Sequence, residues 1–162
     1  MKARLIASVV LAATVVLGTS ACNLISPQTT TKQYDASDGV SGRIGDLVIR
    51  NAVVISEDGE TGNLLVSITN SGDSESLTIK WGDDFSEGTE TRIPGDATTS
   101  FGTEEEDPIL LEGIDAEPGS LLTMFFQYGD ETGVEIFVPV LDGTLPEYSE
   151  FVPSDVAGGG AE

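Results

Sequence analysis

Cys22 is the only cysteine of the chain, and no histidine accompanies it anywhere in the 162 residues. A disulfide needs two thiols, so Cys22 is not an intrachain staple, and the same count excludes a zinc or iron-sulfur site built on thiolates. Without an imidazole there is no Ser-His-Asp triad, no Cys-His pair and no histidine zinc site. What remains is oxygen chemistry. Trp81 is followed by Gly82, Asp83 and Asp84, and paired carboxylates can serve as acid and base in glycoside hydrolysis. Adjacent aspartates after a glycine also make an ordinary solvated turn, which these residues favour, so no catalytic residue is assigned and the chain is not expected to be an enzyme. The loops SEDGETGN (56–63), GDSES (72–76) and GTEEED (102–107) are rich in the hard oxygen donors that calcium takes. None has the D-x-[DN]-x-[DN]-G spacing with a closing Glu, and no metal or cofactor ligand is assigned.

The flanks of Cys22 say more than the thiol alone. Lys2 and Arg4 form a short positive region, Leu5 to Leu17 is apolar, and Gly18 to Ala21 are small residues suited to a signal peptidase. A membrane span needs roughly 20 apolar residues, and this run is shorter. The segment GTSAC (18–22) resembles the lipobox of bacterial lipoproteins, with Thr19 where that motif usually has Leu. The resemblance implies that Cys22 is alkylated with diacylglycerol and becomes the first residue of the mature protein. Ordinary cleavage at an A-x-A-like site is the alternative. Two long acyl chains would contribute on the order of 20 kcal/mol of membrane affinity at about 0.8 kcal/mol per methylene, which is effectively permanent anchoring. The expected location is the outer face of the cell membrane, with the bilayer held through acylated Cys22.

Charge narrows the partners. The chain carries 28 acidic against 7 basic side chains, net −21, and Lys2 and Arg4 belong to the leader. Such a surface is repelled by nucleic acid phosphates and anionic headgroups. A nucleic-acid function is excluded, and basic partners are favoured.

The elements that must position these residues are strands. Residues 1–21 read as the lipoprotein signal peptide and 22–42 as the acylated cysteine and a polar tether whose root-mean-square span is about 25 Å. Residues 43–143 read as the folded domain, and 144–162 as an irregular segment with anchors Tyr148 and Phe151 and a Gly-rich tail. In DLVIRNAVVIS the odd positions Leu47, Ile49, Val53 and Ile55 share a face, interrupted by Asn51, with a bulge near Arg50 and Asn51. LLVSITN, LTIKW, DPILLEGI, SLLTMFFQY and VEIFVPV alternate or run apolar between turns, with short candidates in ETRIP and TTSFG. Pro139 belongs at an edge or a strand end. About seven strands without helical periodicity predict an all-β domain, an antiparallel β-sandwich of immunoglobulin-like or cupredoxin-like type.

LLVSITNSGD, and AEPGSLLTMFFQ with VEIFVPV, resemble the periplasmic copper chaperones that help load the binuclear copper centre of cytochrome oxidase. The layout is also similar to actinobacterial lipoproteins related to them, which share the acylated cysteine, a GDLVIRN-like first strand and a proline-bearing tail. The resemblance spans about Gly45 to Leu141. It implies copper(I) held by histidine and methionine, donors matched to that ion. This chain departs there: it has no histidine, Met1 belongs to the leader, and Met124 alternates with Leu122 and Phe126 as a core residue does. The copper site is therefore not carried over. The expectation is a non-catalytic binding or assembly module with a protein partner in the cell envelope; the alternative is metal handling, copper or calcium, through carboxylates. Leu121 and Phe125 lie on the face of SLLTMFFQY opposite its core residues, where they form a docking patch or are buried beneath Tyr148 or Phe151.

Overall fold

The computed structural model describes residues 37–103 and 108–153, together with Lys2, Arg4, Ile6, Ala7, Ser8 and Val10, which are helical. Cys22 and most of the residues expected to form the signal peptide, tether and tail lie outside the described residues, as do 104–107 of the third acidic loop. No described helix is long and apolar enough to cross a membrane.

Nine strands follow in order: β1 (Val40–Ile44), β2 (Leu47–Ile55), β3 (Thr61–Asn70), β4 (Glu75–Trp81), β5 (Glu87–Ile93), β6 (Ala97–Phe101), β7 (Ile109–Glu112), β8 (Leu121–Tyr128) and β9 (Val134–Leu141). Their hydrogen-bonded path is β5-β4-β8-β9-β2-β3-β6, with β1 added to β2 and β7 to β3. All pairings are antiparallel except β2 with β9, which runs parallel over Val54↔Val140 and Ile55↔Leu141. The protein is an all-β sandwich of the cupredoxin or immunoglobulin-like kind, its sheet mixed and nearly closed. Two more strands form than the apolar pattern predicts. β1 takes in Val40 to Gly42, where composition reads as tether, through its ladder with β2 from Val40↔Ala52 to Ile44↔Leu47, and Gly42 lies against Ile136 with no room for a Cβ. β5 is Gly-, Thr- and charge-rich, and it forms through its ladder with β4 from Glu75↔Ile93 to Trp81↔Glu87.

Strand alternation builds one core between the layers. Leu77, Ile79 and Trp81 of β4, Leu122, Met124 and Phe126 of β8, and Ile136, Val138 and Val140 of β9 meet Leu64, Val66 and Ile68 of β3. Each such buried side chain contributes roughly 1.5–3 kcal/mol relative to exposure. The bulge in β2 is real and changes the expected face. Asn51 has φ 51°, and the register with β3 shifts between Arg50 and Val53. One extra residue reverses the parity. Leu47 and Ile49 point into the main core before the bulge, and Ala52 and Val54 do so after it. Val53 and Ile55 turn outward instead, into a second cluster with Leu65, where Leu141, Tyr148, Phe151 and Val152 cover them. The C-terminal anchors thus have a definite place, and the second half of β2 is buried on both faces.

Polar contacts fix the ends. Tyr128 Oη accepts the Asp46 N–H at 3.0 Å, closing the turn between β1 and β2. Asn63, buried, donates from Nδ2 to the carbonyls of Gly102 at 3.2 Å and Phe151 at 3.1 Å, joining the turn after β6 to the C-terminal segment. The Tyr148 hydroxyl donates to Asp38 Oδ2 at 2.7 Å. Pro139 sits within β9, which is not an edge strand, but at the limit of its pairing with β2. It opposes Leu121 on β8, and the parallel partners begin one residue later at Val140. Val140 spends its N–H and C=O on Ser120 and Gly119, so the missing donor of Pro139 faces the other side, ahead of that short ladder.

Replacing Tyr128 with Phe removes the acceptor of a partly buried N–H and should lower unfolding free energy by about 1–2 kcal/mol in urea titrations without loss of β-structure by circular dichroism. The Asp38 carboxylate, then burial and the charges of Asp38 and Glu147, push the Tyr148 phenol from 10.0 up to about 12. A phenol raised in the folded state contributes stability that is fully present below 10.0 and is lost as pH rises through about 12. Thermal melts across that window should fall more steeply for the native sequence than for Tyr148→Phe.

Candidate functional site

In the first of the acidic loops one carboxylate oxygen is taken up by the backbone. Asp58 Oδ1 accepts from the N–H groups of Glu60 at 2.8 Å and Thr61 at 2.9 Å and from the Ser56 hydroxyl at 3.3 Å. Those amide donors hold its carboxyl below the ordinary 3.8. Gly59 N–H in turn donates to Ser56 Oγ at 3.1 Å, so the β2–β3 loop is a self-closed turn. The GDSES loop is tied through an amide, a hydroxyl and the backbone and not through its carboxylates: Asn70 Nδ2 donates to the Asp73 carbonyl, Gly72 N–H to Asn70 Oδ1 and Ser74 Oγ to the Ile93 carbonyl. Among the described residues no group of three or more His, Cys, Asp or Glu side chains is placed to hold a metal ion. Met124 is fully buried in the core. The donor set of the described residues therefore does not fit a copper(I) centre, which needs soft ligands.

Of the two aspartates after Trp81, Asp83 lines the cleft described below and Asp84 does not. Trp81 is buried and donates from Nε1 to the Glu112 carbonyl at 2.8 Å. That bond ties the end of β4 to the end of β7. Asp83 to Phe85 form a short 3-10 turn, with Asp83 and Asp84 exposed. Gly82, Asp84 and Phe85 have φ of 78°, 53° and 55°, a left-handed path unusual for a bulky aromatic residue. The path delivers the Phe85 ring to Phe125, centroids 5.5 Å apart at 45°. Gly133 is bare beneath the same ring: a Cβ there would overlap Phe125.

The turn forms one wall of a cleft of about 370 Å³. Asp83 and Glu87 line it together with Ile114 and Asp115 and with Leu121 and Leu122 at the start of β8. Residues 114–116 are held in place, since the N–H groups of Ile114 and Ala116 donate to the Glu60 and Gly59 carbonyls at 3.1 and 3.0 Å. Three acidic residues, Asp83, Glu87 and Asp115, thus line a cleft whose remaining lining is partly aliphatic.

An apolar stripe runs from this cleft across the outer face of β8 and β9. Leu121 is 62% exposed and Phe137 56%. In the β8–β9 register Leu121 opposes Pro139, Thr123 opposes Phe137 and Phe125 opposes Glu135. Opposed residues share a face, and diagonal neighbours lie within about 8 Å. The stripe therefore continues from Leu121 through Phe137 to the half-buried Phe125 and Phe85. Tyr148 and Phe151 do not cover it, because they pack on Val53, Ile55 and Leu65. Of the two placements open for Leu121 and Phe125, the surface one holds for Leu121. Phe125 is partly sheltered, and its cover is Phe85 and Gly133. Phe137 was readable as well, since it has the opposite parity to Ile136 and Val138, but it lies hidden in the apolar run VEIFVPV. The approach of Glu87 and Asp115 to the stripe is tertiary and has no signal in spacing.

No protein-family model matches the chain, and no curated protein matches it. Among solved structures, the chain is similar to the apo PCuAC domain of PmoF2, with a TM-score of 0.50 and 10% identity, covering 65% of this chain and 98% of that one. The copper-bound PCuAC domain from PmoF2 gives a TM-score of 0.49 at 13% identity, covering 64% and 98%, and the apo PCuAC domain from PmoF1 0.47 at 15%, covering 62% and 98%. At these identities the likeness is one of fold: the strands of this chain are arranged as in a PCuAC domain.

Proposed function

We propose that this chain is a lipid-anchored extracytoplasmic lipoprotein whose PCuAC-type sandwich acts as a non-catalytic binding or assembly module of the cell envelope. One observation carries the reading: a fold shared with copper-chaperone domains is here built without histidine and with Met124 sealed in the core, while two large apolar side chains stand in solvent on a sheet face. Exposed apolar residues in register favour protein contact over metal chemistry. Catalysis has little to draw on, because the usual acid, base and nucleophile constellations need the imidazole that is missing. The anchor rests on the GTSAC motif and the leader before it.

The fold likeness also favours a second reading, metal handling through carboxylates. The engagement of Asp58 by backbone N–H groups and the lack of a three-donor group among the described residues stand against it.

Mass spectrometry of the protein from its native membrane should find a mature chain beginning at an acylated Cys22, and Cys22→Ser should leave the precursor unprocessed. A free thiol would end the anchor reading. Calorimetric titration of the full chain with copper(I) and with calcium should give neither saturable heat nor a thermal shift. A stoichiometric isotherm with either ion would favour metal handling instead.

A further inference from the structure

We propose that the outer face of β8 and β9, with the adjoining cleft, docks a basic amphipathic segment of another protein, a deeper statement of the binding-module reading on which it rests. Apolar and acidic surfaces are continuous here, because Leu121 belongs to both: it stands in the stripe with Phe137 and lines the cleft with Asp83, Glu87 and Asp115. Glu135 continues the negative rim across from Phe125 on β9, and Lys80 across from Phe125 on β4 is the base that borders the stripe. An apolar face of the partner would cover Leu121 and Phe137 while its lysines or arginines enter the cleft. Removing water from the carboxylates then brings them counter-charges instead of leaving them unpaired.

The other occupants fit the charge poorly. A second copy would bring two chains of net −21 together. The chain's own last residues, SDVAGGGAE, are acidic and glycine-rich, and an anionic bilayer is repelled by the same carboxylates. A cationic partner is the occupant that both parts of the surface favour.

The test uses the full chain as isolated from its cells, in phosphatidylcholine nanodiscs if Cys22 is acylated and in plain buffer if it is not, with the matching blank, and three fluorescent dodecapeptides alternating Leu-Lys, Leu-Glu or Ser-Lys. Anisotropy should show saturable binding of the Leu-Lys peptide, none of Leu-Glu, and at least about tenfold weaker binding of Ser-Lys. The double variant Leu121→Ser with Phe137→Ser should weaken Leu-Lys binding by a similar factor. Both positions are largely exposed, so its melting temperature should stay within a few degrees of the native one. The triple variant Asp83→Asn, Glu87→Gln, Asp115→Asn should flatten the salt dependence of binding. The proposal is overturned if no peptide binds, if Leu-Glu binds as well as Leu-Lys, or if the Leu121/Phe137 variant binds like the native protein. It is equally overturned if sedimentation shows a dimer that this variant dissolves. A free Cys22 thiol or a copper isotherm bears on the anchor or metal question and leaves these results standing, so the two readings fail separately.

Discussion

The register of β9 constrains everything else. This strand is antiparallel to β8 from Leu121↔Pro139 to Phe126↔Val134 and parallel to β2 at its last two residues, so it joins the two layers of the sandwich. A slip of one residue would send Ile136, Val138 and Val140 to solvent and Phe137 inward. Two partners on opposite sides pin the register. The exposure of Phe137 is therefore fixed by the same pairing that closes the core, and it cannot be relieved without undoing that pairing.

Much of this was legible. The alternation in LTIKW, SLLTMFFQY and VEIFVPV identifies the residues that fill the core, and Asn51 marks the bulge in β2. What the bulge does was not legible, since which parity faces the core after it depends on the partner β3 and on the C-terminal segment that covers Val53 and Ile55. β1 and β5 were missed or shortened for a common reason. They are flanking strands whose small and charged side chains give little apolar signal, and they exist through backbone ladders with β2 and β4. On the surface, the parity of Leu121 could be read from the strand pattern. The cleft beside it could not, because Asp83, Glu87 and Asp115 come from segments that meet only when Trp81 reaches Glu112.

Scaffold and donor chemistry part company in this chain. The sandwich needs only alternating apolar residues and turns, whereas a soft-metal centre needs particular side chains at particular places. Met124 shows the difference: its thioether is a possible ligand by type, but its position in β8 makes it core. Surface character follows another constraint again. With an acidic exterior, a sheet face that keeps Leu121 and Phe137 outside gives up solubility locally, and the surrounding carboxylates restore it.

The two bonds on Asp38 and Gly39 have a mechanical consequence. Tyr148 holds Asp38 from the C-terminal segment, and Asn51 Oδ1 accepts the Gly39 N–H at 3.2 Å from the bulge of β2. Tension applied to the residues ahead of Asp38 is thus split between two elements before it reaches β1, a five-residue strand that alone would peel open one rung at a time. The start of β1 is thereby braced by the bulge of β2 and, through Tyr148, by the second apolar cluster.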